Sequence, residues 1–307
     1  MITHVKFSAA TELAVKNYGR QLVPGQRSLL AIHDLATGKQ RVILETNHLI
    51  EAPNWTPDGE RLIFNGGGQL WRIGLDGSDL QLIHTGLLAD LNNDHVLSPD
   101  GRSIYVSSND GHLYKIRLDA GAPVRVSNQH DKPFRYYLHG VSPDERELAF
   151  VGIEGSGPEA RRNLYVIASE GGTDRRLLDS AKPSDGPEYS PDGRWIYFSS
   201  ELRSSEPGHA QVFRMNRDGG EIRQLTFDDR VNWFPHISPN GETIVFLSYP
   251  PGTVGHPPDK DVLIRSMTAE GENLTDLVSF HGGQGTINVN SWAPDSQRFA
   301  YVEYPLR

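Results

Sequence analysis

The sequence predicts an all-β fold, a six-bladed β-propeller whose closing blade is shared between N- and C-terminal strands. Three observations predict it. A turn phrase recurs six times, each copy precedes a short alternating apolar segment, and the composition favours turns. The 307 residues include 31 Gly and 20 Pro, which suits many short strands joined by tight turns better than long helices.

The turn phrases are TPDG at 56, SPDG at 98, SPDE at 142, SPDG at 190, SPNG at 238 and APDS at 293. Proline presets φ, and the Asp, Asn and Gly after it tolerate unusual φ, so each phrase is a turn with a mechanism. The segments after the turns, RLIFN, SIYVSS, ELAFVG, WIYFSS, TIVFLS and RFAYVE, alternate as strands do. Third strands (QLWRIG, HLYKIR, NLYVIA, QVFRMN, DVLIRS) and short fourth strands (DLQLIHT, RRLLDS, IRQLTF) complete four-stranded units. Units of this period stack around an axis as propeller blades, because one small sheet cannot bury both faces alone.

The sixth copy supplies only TINVNSW and RFAYVEY before Arg307. SLLAIHDLATGKQRVILE, residues 28–45, has the third-and-fourth-strand pattern without a preceding turn phrase. It is expected to complete the last blade, which removes the edges an open ring would expose. Residues 28–307 then form one propeller, and residues 1–27 an N-terminal arm outside the count.

With 30 basic and 39 acidic residues the net charge is −9, which argues against nucleic acid as a partner. Zero cysteines exclude disulfides and thiolate metal sites. MITHVKFSAATELAVKNYG lacks the apolar core of a signal peptide, and no run reaches membrane-span length. A soluble cytoplasmic chain without a membrane role is expected, or a periplasmic one if a leader has been removed.

His95 and His139 each stand four residues before the proline of a turn phrase, and His236 stands three before. First strands line a propeller channel, so the first two should face the axis. Pro235 occupies position minus four in the His236 repeat, as Pro187 and Pro53 do in theirs. Proline is tolerated at bulges, and a one-residue bulge would turn His236 and Glu188 toward the channel. Either the histidines are hydrogen-bonded filler or they gather around a ligand. Imidazoles mixed with carboxylate or amide oxygen suit Mn, Zn, Co, Ni or Fe.

The phrase SPDGRWIYFSS resembles the PD40 repeats of the TolB-like β-propeller family, and the resemblance covers residues 28–307. It implies the propeller fold and a binding platform for a peptide or protein at the channel mouth. A more distant resemblance is to the oligogalacturonate lyases, propellers that hold a divalent metal with three histidines and one glutamine. It implies a ligand set of His95, His139, His236 and, in FHGGQGTIN, Gln284. It also implies a carbohydrate substrate, cleaved by lyase-type elimination or a related glycoside hydrolysis. Those lyases have seven blades and their ligands do not match blade by blade.

Polar residues crowd the upstream ends of the first strands. Glu51, Asp94, Asp185, Trp233, His256 and Arg203 are expected to bind substrate, with Lys260, Tyr137 and Glu188 as candidate catalytic groups. His256 and Lys260 lie in or beside SYPPGTVGHPPDKDV, a loop long enough to wall a pocket. G-x-S-x-G and H-E-x-x-H motifs are absent. Two readings stay open: a metal-dependent carbohydrate enzyme and a non-catalytic binding platform.

Overall fold

A computed structural model describes residues 20–119 and 122–306. The predicted arm, residues 1–27, lies mostly outside the described residues. Six antiparallel sheets form among the described residues, five with four strands and one with three. Their innermost strands are Ile50–Trp55, Leu91–Leu97, Phe134–Val141, Ser184–Tyr189 and Val231–Ile237, and each belongs to one blade. The only helix described is a single 3-10 turn, Gly157–Glu159.

The seam closes as the repeat pattern implies. Ser28–Asp34 lies between Gln40–Thr46 and the C-terminal strand Arg298–Glu303, with Leu29 opposite Glu303 and Asp34 opposite Arg298. A bridge between Gln26 and Leu306 extends this pairing upstream of residue 28. The expected inner strand of the closing blade, TINVNSW, forms only one bridge, Trp292 to Phe299. Its asparagines explain the loss: Asn288 accepts from Gly285 N–H and Asn290 from Trp292 N–H, local bonds that compete with a ladder.

Cores lie between adjacent blades. Between the fifth and sixth, Val231, Val245, Tyr249 and Ile264 pack with Trp292, Phe299 and Tyr301, all buried. Outer strands are short, two residues each in the first four blades (for example Gln81–Leu82), because little apolar surface remains to cover at the rim. The fifth blade differs, with Thr275–Gly282 running eight residues as its outer strand.

Each of the five inner strands carries a bulge. Their registers slip between Glu51 and Asn54, Leu91 and His95, Leu138 and Gly140, Asp185 and Glu188, and Trp233 and His236. In three blades the extra residue has positive φ and precedes proline: Ala52 at 53°, Gly186 at 65° and Phe234 at 55°. Only glycine takes this conformation cheaply, so Ala52 and especially Phe234 are held there by their surroundings. A bulge re-aims the side chains after it, and these five set what lines the channel.

Candidate site at the channel mouth

The strand starts and the loops joining second to third strands share one face of the ring. There the long loop after Thr243–Tyr249 folds inward. His256 packs edge-on against Trp233 and Phe234, each with ring centroids 4.9 Å away. Its Nδ1–H donates to Gln284 Oε1 at 2.6 Å, and its Nε2 lies 3.5 Å from Asp185 Oδ2. The loop is pinned further by Gln284 N–H, which donates to the Pro257 carbonyl.

Asp185 also receives His139, whose Nε2 stands 3.0 Å from Oδ1 while Nδ1 faces the Asn288 carbonyl at 3.2 Å. Both partners of His139 are acceptors, so both ring nitrogens donate and the ring is an imidazolium. Burial alone would depress its pKa; the Asp94 and Asp185 carboxylates outweigh burial and raise it to about 9. Asp185 is held well below the carboxylate range, its desolvation overcome by bonds from His139 and His256. Phe234 stacks on His139 with centroids 6.0 Å apart, so the strained bulge residue touches both mouth histidines.

Two further carboxyls face this cluster. Asp94 is buried, its Oδ2 accepts from Asn92 at 2.9 Å, and its Oδ1 has no hydrogen-bond partner. Desolvation, reinforced by Asp185, pushes its pKa up to about 6 although His139 opposes the shift. Glu51 rises to about 7, again through desolvation, with Arg20 pulling down and Asp94 pushing up. Gly285 makes room here: a Cβ would stand 2.5 Å from both Glu51 Oε1 and Tyr304 Oη, and its φ is 89°.

Deeper in the channel His236 and Glu188 form a separate pair. His236 Nδ1–H donates to Glu188 Oε2 at 2.6 Å, and Nε2 faces the Ile287 carbonyl. Glu188 Oε1 accepts from Ile237 N–H and from Asn290 Nδ2. Asn54 plays the matching role between the first two blades, accepting from Leu97 N–H and donating to the Asn290 carbonyl. These residues come just after the bulge prolines and tie neighbouring inner strands together.

The metal set implied by the lyase resemblance does not fit these residues. His139 and His236 face acceptors with both nitrogens, which leaves no lone pair for a metal. Gln284 Oε1 is taken by His256. His95, fully buried, bonds the Asn93 carbonyl through Nδ1, and burial lowers its pKa to about 4. Among the described residues no three His, Asp or Glu side chains form a metal-holding group. The bulge does turn His236 and Glu188 inward, but toward each other.

Of the expected substrate and catalytic residues, Glu51, Asp94, Asp185, Trp233 and His256 gather at the mouth. Half-buried Tyr137 joins them, close enough to Asp94 and Asp185 for both to act on its hydroxyl. Arg203 does not: it is exposed and its Nη2 donates to the Ile222 carbonyl near the outer edge of its blade. Lys260 is exposed at the start of Lys260–Thr268. Glu188 belongs to the deeper pair. Sequence reading missed Arg20 and Tyr304, whose places outside the repeat phrase carry no periodic signal.

Comparison with known proteins agrees with this architecture. The family described as the TolB beta propeller domain (PD40) matches residues 139–260. An uncharacterized protein of Agrobacterium fabrum is 38% identical over 283 residues, covering 91% of this chain and 92% of its own length. A solved TolB candidate from Agrobacterium tumefaciens superposes with a TM-score of 0.84 at 37% identity, covering 91% of this chain and 99% of that one. The chain belongs to the TolB-like β-propeller family. The Tol-Pal system protein TolB of Francisella tularensis is 23% identical over 83% of this chain, which spans 57% of that protein's length. An oligogalacturonate lyase in complex with manganese shares the fold alone, with a TM-score of 0.57 at 17% identity over 85% of this chain and 74% of that one. No described helix is long and apolar enough to cross a membrane.

Proposed function

We infer that this TolB-like propeller is a binding platform whose channel mouth receives a segment of a protein partner. One observation carries the reading. The mouth histidines are committed to internal carboxylates and carbonyls, so they shape a polar receptacle instead of presenting lone pairs to a metal. Half-buried Tyr137 gives that receptacle an aromatic wall, as segment-binding sites commonly have, and Trp233 and Phe234 lie buried behind His256. The relatives named for the Tol-Pal system support a role in protein assembly.

A photo-crosslinking residue at Val254, exposed on the long loop, tests this in the native cell. The expected result is one defined protein adduct, lost on Asp94→Asn. A crosslinker at Glu60, by a turn on the opposite face, should give none. Equal adducts from both positions, or none from Val254, would overturn the reading.

A second reading, an enzyme acting on a carbohydrate, has one specific observation in its favour. Asp94 lies near His139 with its pKa raised to about 6, a value at which a carboxyl can donate and accept protons near neutrality. Elimination from a uronate polymer by purified protein, abolished by Asp94→Asn, would establish it.

A further inference from the structure

Arg20 comes from outside the six sheets, yet its side chain is only 10% exposed. The guanidinium lies 3.8 Å above the Tyr304 ring. Nη2 donates to Asp259 Oδ1 at 2.9 Å and Nη1 to the Gln284 carbonyl at 2.7 Å, and Glu51 lies close enough for Arg20 to stabilise its charge. An aromatic face with carboxylate and carbonyl acceptors around its edge is a recognition site for a guanidinium.

The site is built from elements far apart in sequence. Tyr304 lies just past the C-terminal strand and its hydroxyl donates to the Ile50 carbonyl, while Asp259 is steadied by Gln26 Nε2 at 2.6 Å. Arg20 Nε–H finds no acceptor, so the site leaves one donor of its resident side chain unsatisfied. Asp94 Oδ1 is buried and unpartnered, and Asp94 lies close enough to Glu51 to act on its charge. The mouth therefore holds more acceptor capacity than Arg20 satisfies.

We propose that the mouth recognises an arginine side chain on its partner, and that Arg20 is the built-in occupant of that site, displaced when the partner binds. This rests on the platform reading and names the partner's chemistry. Competition is the direct consequence, because one guanidinium fills the face of Tyr304. The partner must offer more than Arg20 does, and Asp94 Oδ1 is the acceptor available to it.

The test uses the full chain and two probes, acetyl-Gly-Arg-Gly-amide and acetyl-Gly-Gln-Gly-amide, titrated by NMR. Arg20→Ala should bind the arginine probe at least tenfold more tightly than the unaltered protein, and the glutamine probe not at all. Arg20→Ala with Glu51→Gln and Asp259→Asn should lose that binding. Should Arg20→Ala fail to fold, Arg20→Gln undergoes the same titration. Equal affinity in the variant and the unaltered protein, or no binding to the variant, overturns the inference. Equal binding of both probes also overturns it, while an intact Val254 crosslink would leave the platform standing.

Discussion

His236 Nδ1 lies 2.6 Å from Glu188 Oε2, and the other oxygen of the same carboxyl accepts from Ile237 N–H at 3.0 Å. One buried side chain of the fourth blade thus serves both the side chain and the backbone of the fifth. Glu188→Ala would strand the imidazole and the amide together. A loss of about 3 kcal/mol is expected, since removing one member of a buried hydrogen-bonded pair leaves its partner groups unsatisfied. Glu188→Gln, which keeps the amide's acceptor, should cost about half as much. Urea unfolding midpoints of the two variants check the order.

Phe234 supplies a test of backbone strain. Its φ of 55° costs a non-glycine residue about 1 to 2 kcal/mol, while its ring packs on His139, His256 and Trp233. Phe234→Ala should therefore destabilise by about 3 kcal/mol through lost packing. Phe234→Gly should be less harmful than Phe234→Ala by about 1 kcal/mol, reversing the usual order of these two residues. Equilibrium unfolding of both measures the difference.

Stability should fall as pH rises from mildly acid to alkaline. Glu51 and Asp94 have pKa values raised from 4.5 to about 7 and from 3.8 to about 6, so the folded state holds protons that the unfolded state releases. Their contribution is lost between about pH 4 and 7. His139, raised from 6.5 to about 9, contributes stability that is full below pH 6.5 and gone above about 9. Asp185, lowered, acts in the other direction and matters only in strong acid. Melting curves of Glu51→Gln should show the lower limb flattened and the limb between pH 7 and 9 retained.

Metal should leave stability unmoved. Chelation with EDTA, or addition of manganese at tenfold molar excess, is expected to shift the melting temperature by less than about 1 °C, because mass action stabilises only where a site binds. A manganese-dependent rise abolished by His95→Ala, His139→Ala or His236→Ala would restore the ligand set implied by the lyase resemblance.

His256 couples the long loop to the ring. Removing its side chain uncovers the edge of Trp233, which is buried beneath it. Acrylamide should then quench tryptophan emission more strongly in His256→Ala, with a melting temperature lower by a few degrees. Deleting residues 252–259 should cost more, since it also removes the Pro257 carbonyl that receives Gln284 and the Asp259 carboxylate that receives Arg20.

The turn phrases made the blades legible because Pro, Asp and Gly act locally, and the unpaired pattern in residues 28–45 made the closure legible. Even the bulge before His236 could be read, from Pro235. Its partner could not. Glu188 stands 48 residues upstream, and pairing across blades leaves no mark in a one-blade repeat. The inner strand of the second blade also slips by two residues upstream of His95, between Leu91 and His95, whereas that of the third slips by one at His139 itself, between Leu138 and Gly140. Each one-residue slip reverses the facing of the side chains beyond it, so equal spacing from the prolines did not mean equal direction. Tyr304 and Arg20 lie beyond any repeat, and only the folded ring brings them together.

The seam governs how the ring is made. Leu29 pairs with Glu303, so during synthesis Ser28–Asp34 waits for a strand that is translated only after the five intervening inner strands. Until then both its neighbour on one side and the flank of the first blade are uncovered, and exposed strand edges invite pairing with other chains. Blades one to five can assemble in order behind the ribosome, but the circle is completed only once Arg298–Glu303 has emerged. Newly made chains are therefore most vulnerable to aggregation in the interval before that last strand docks.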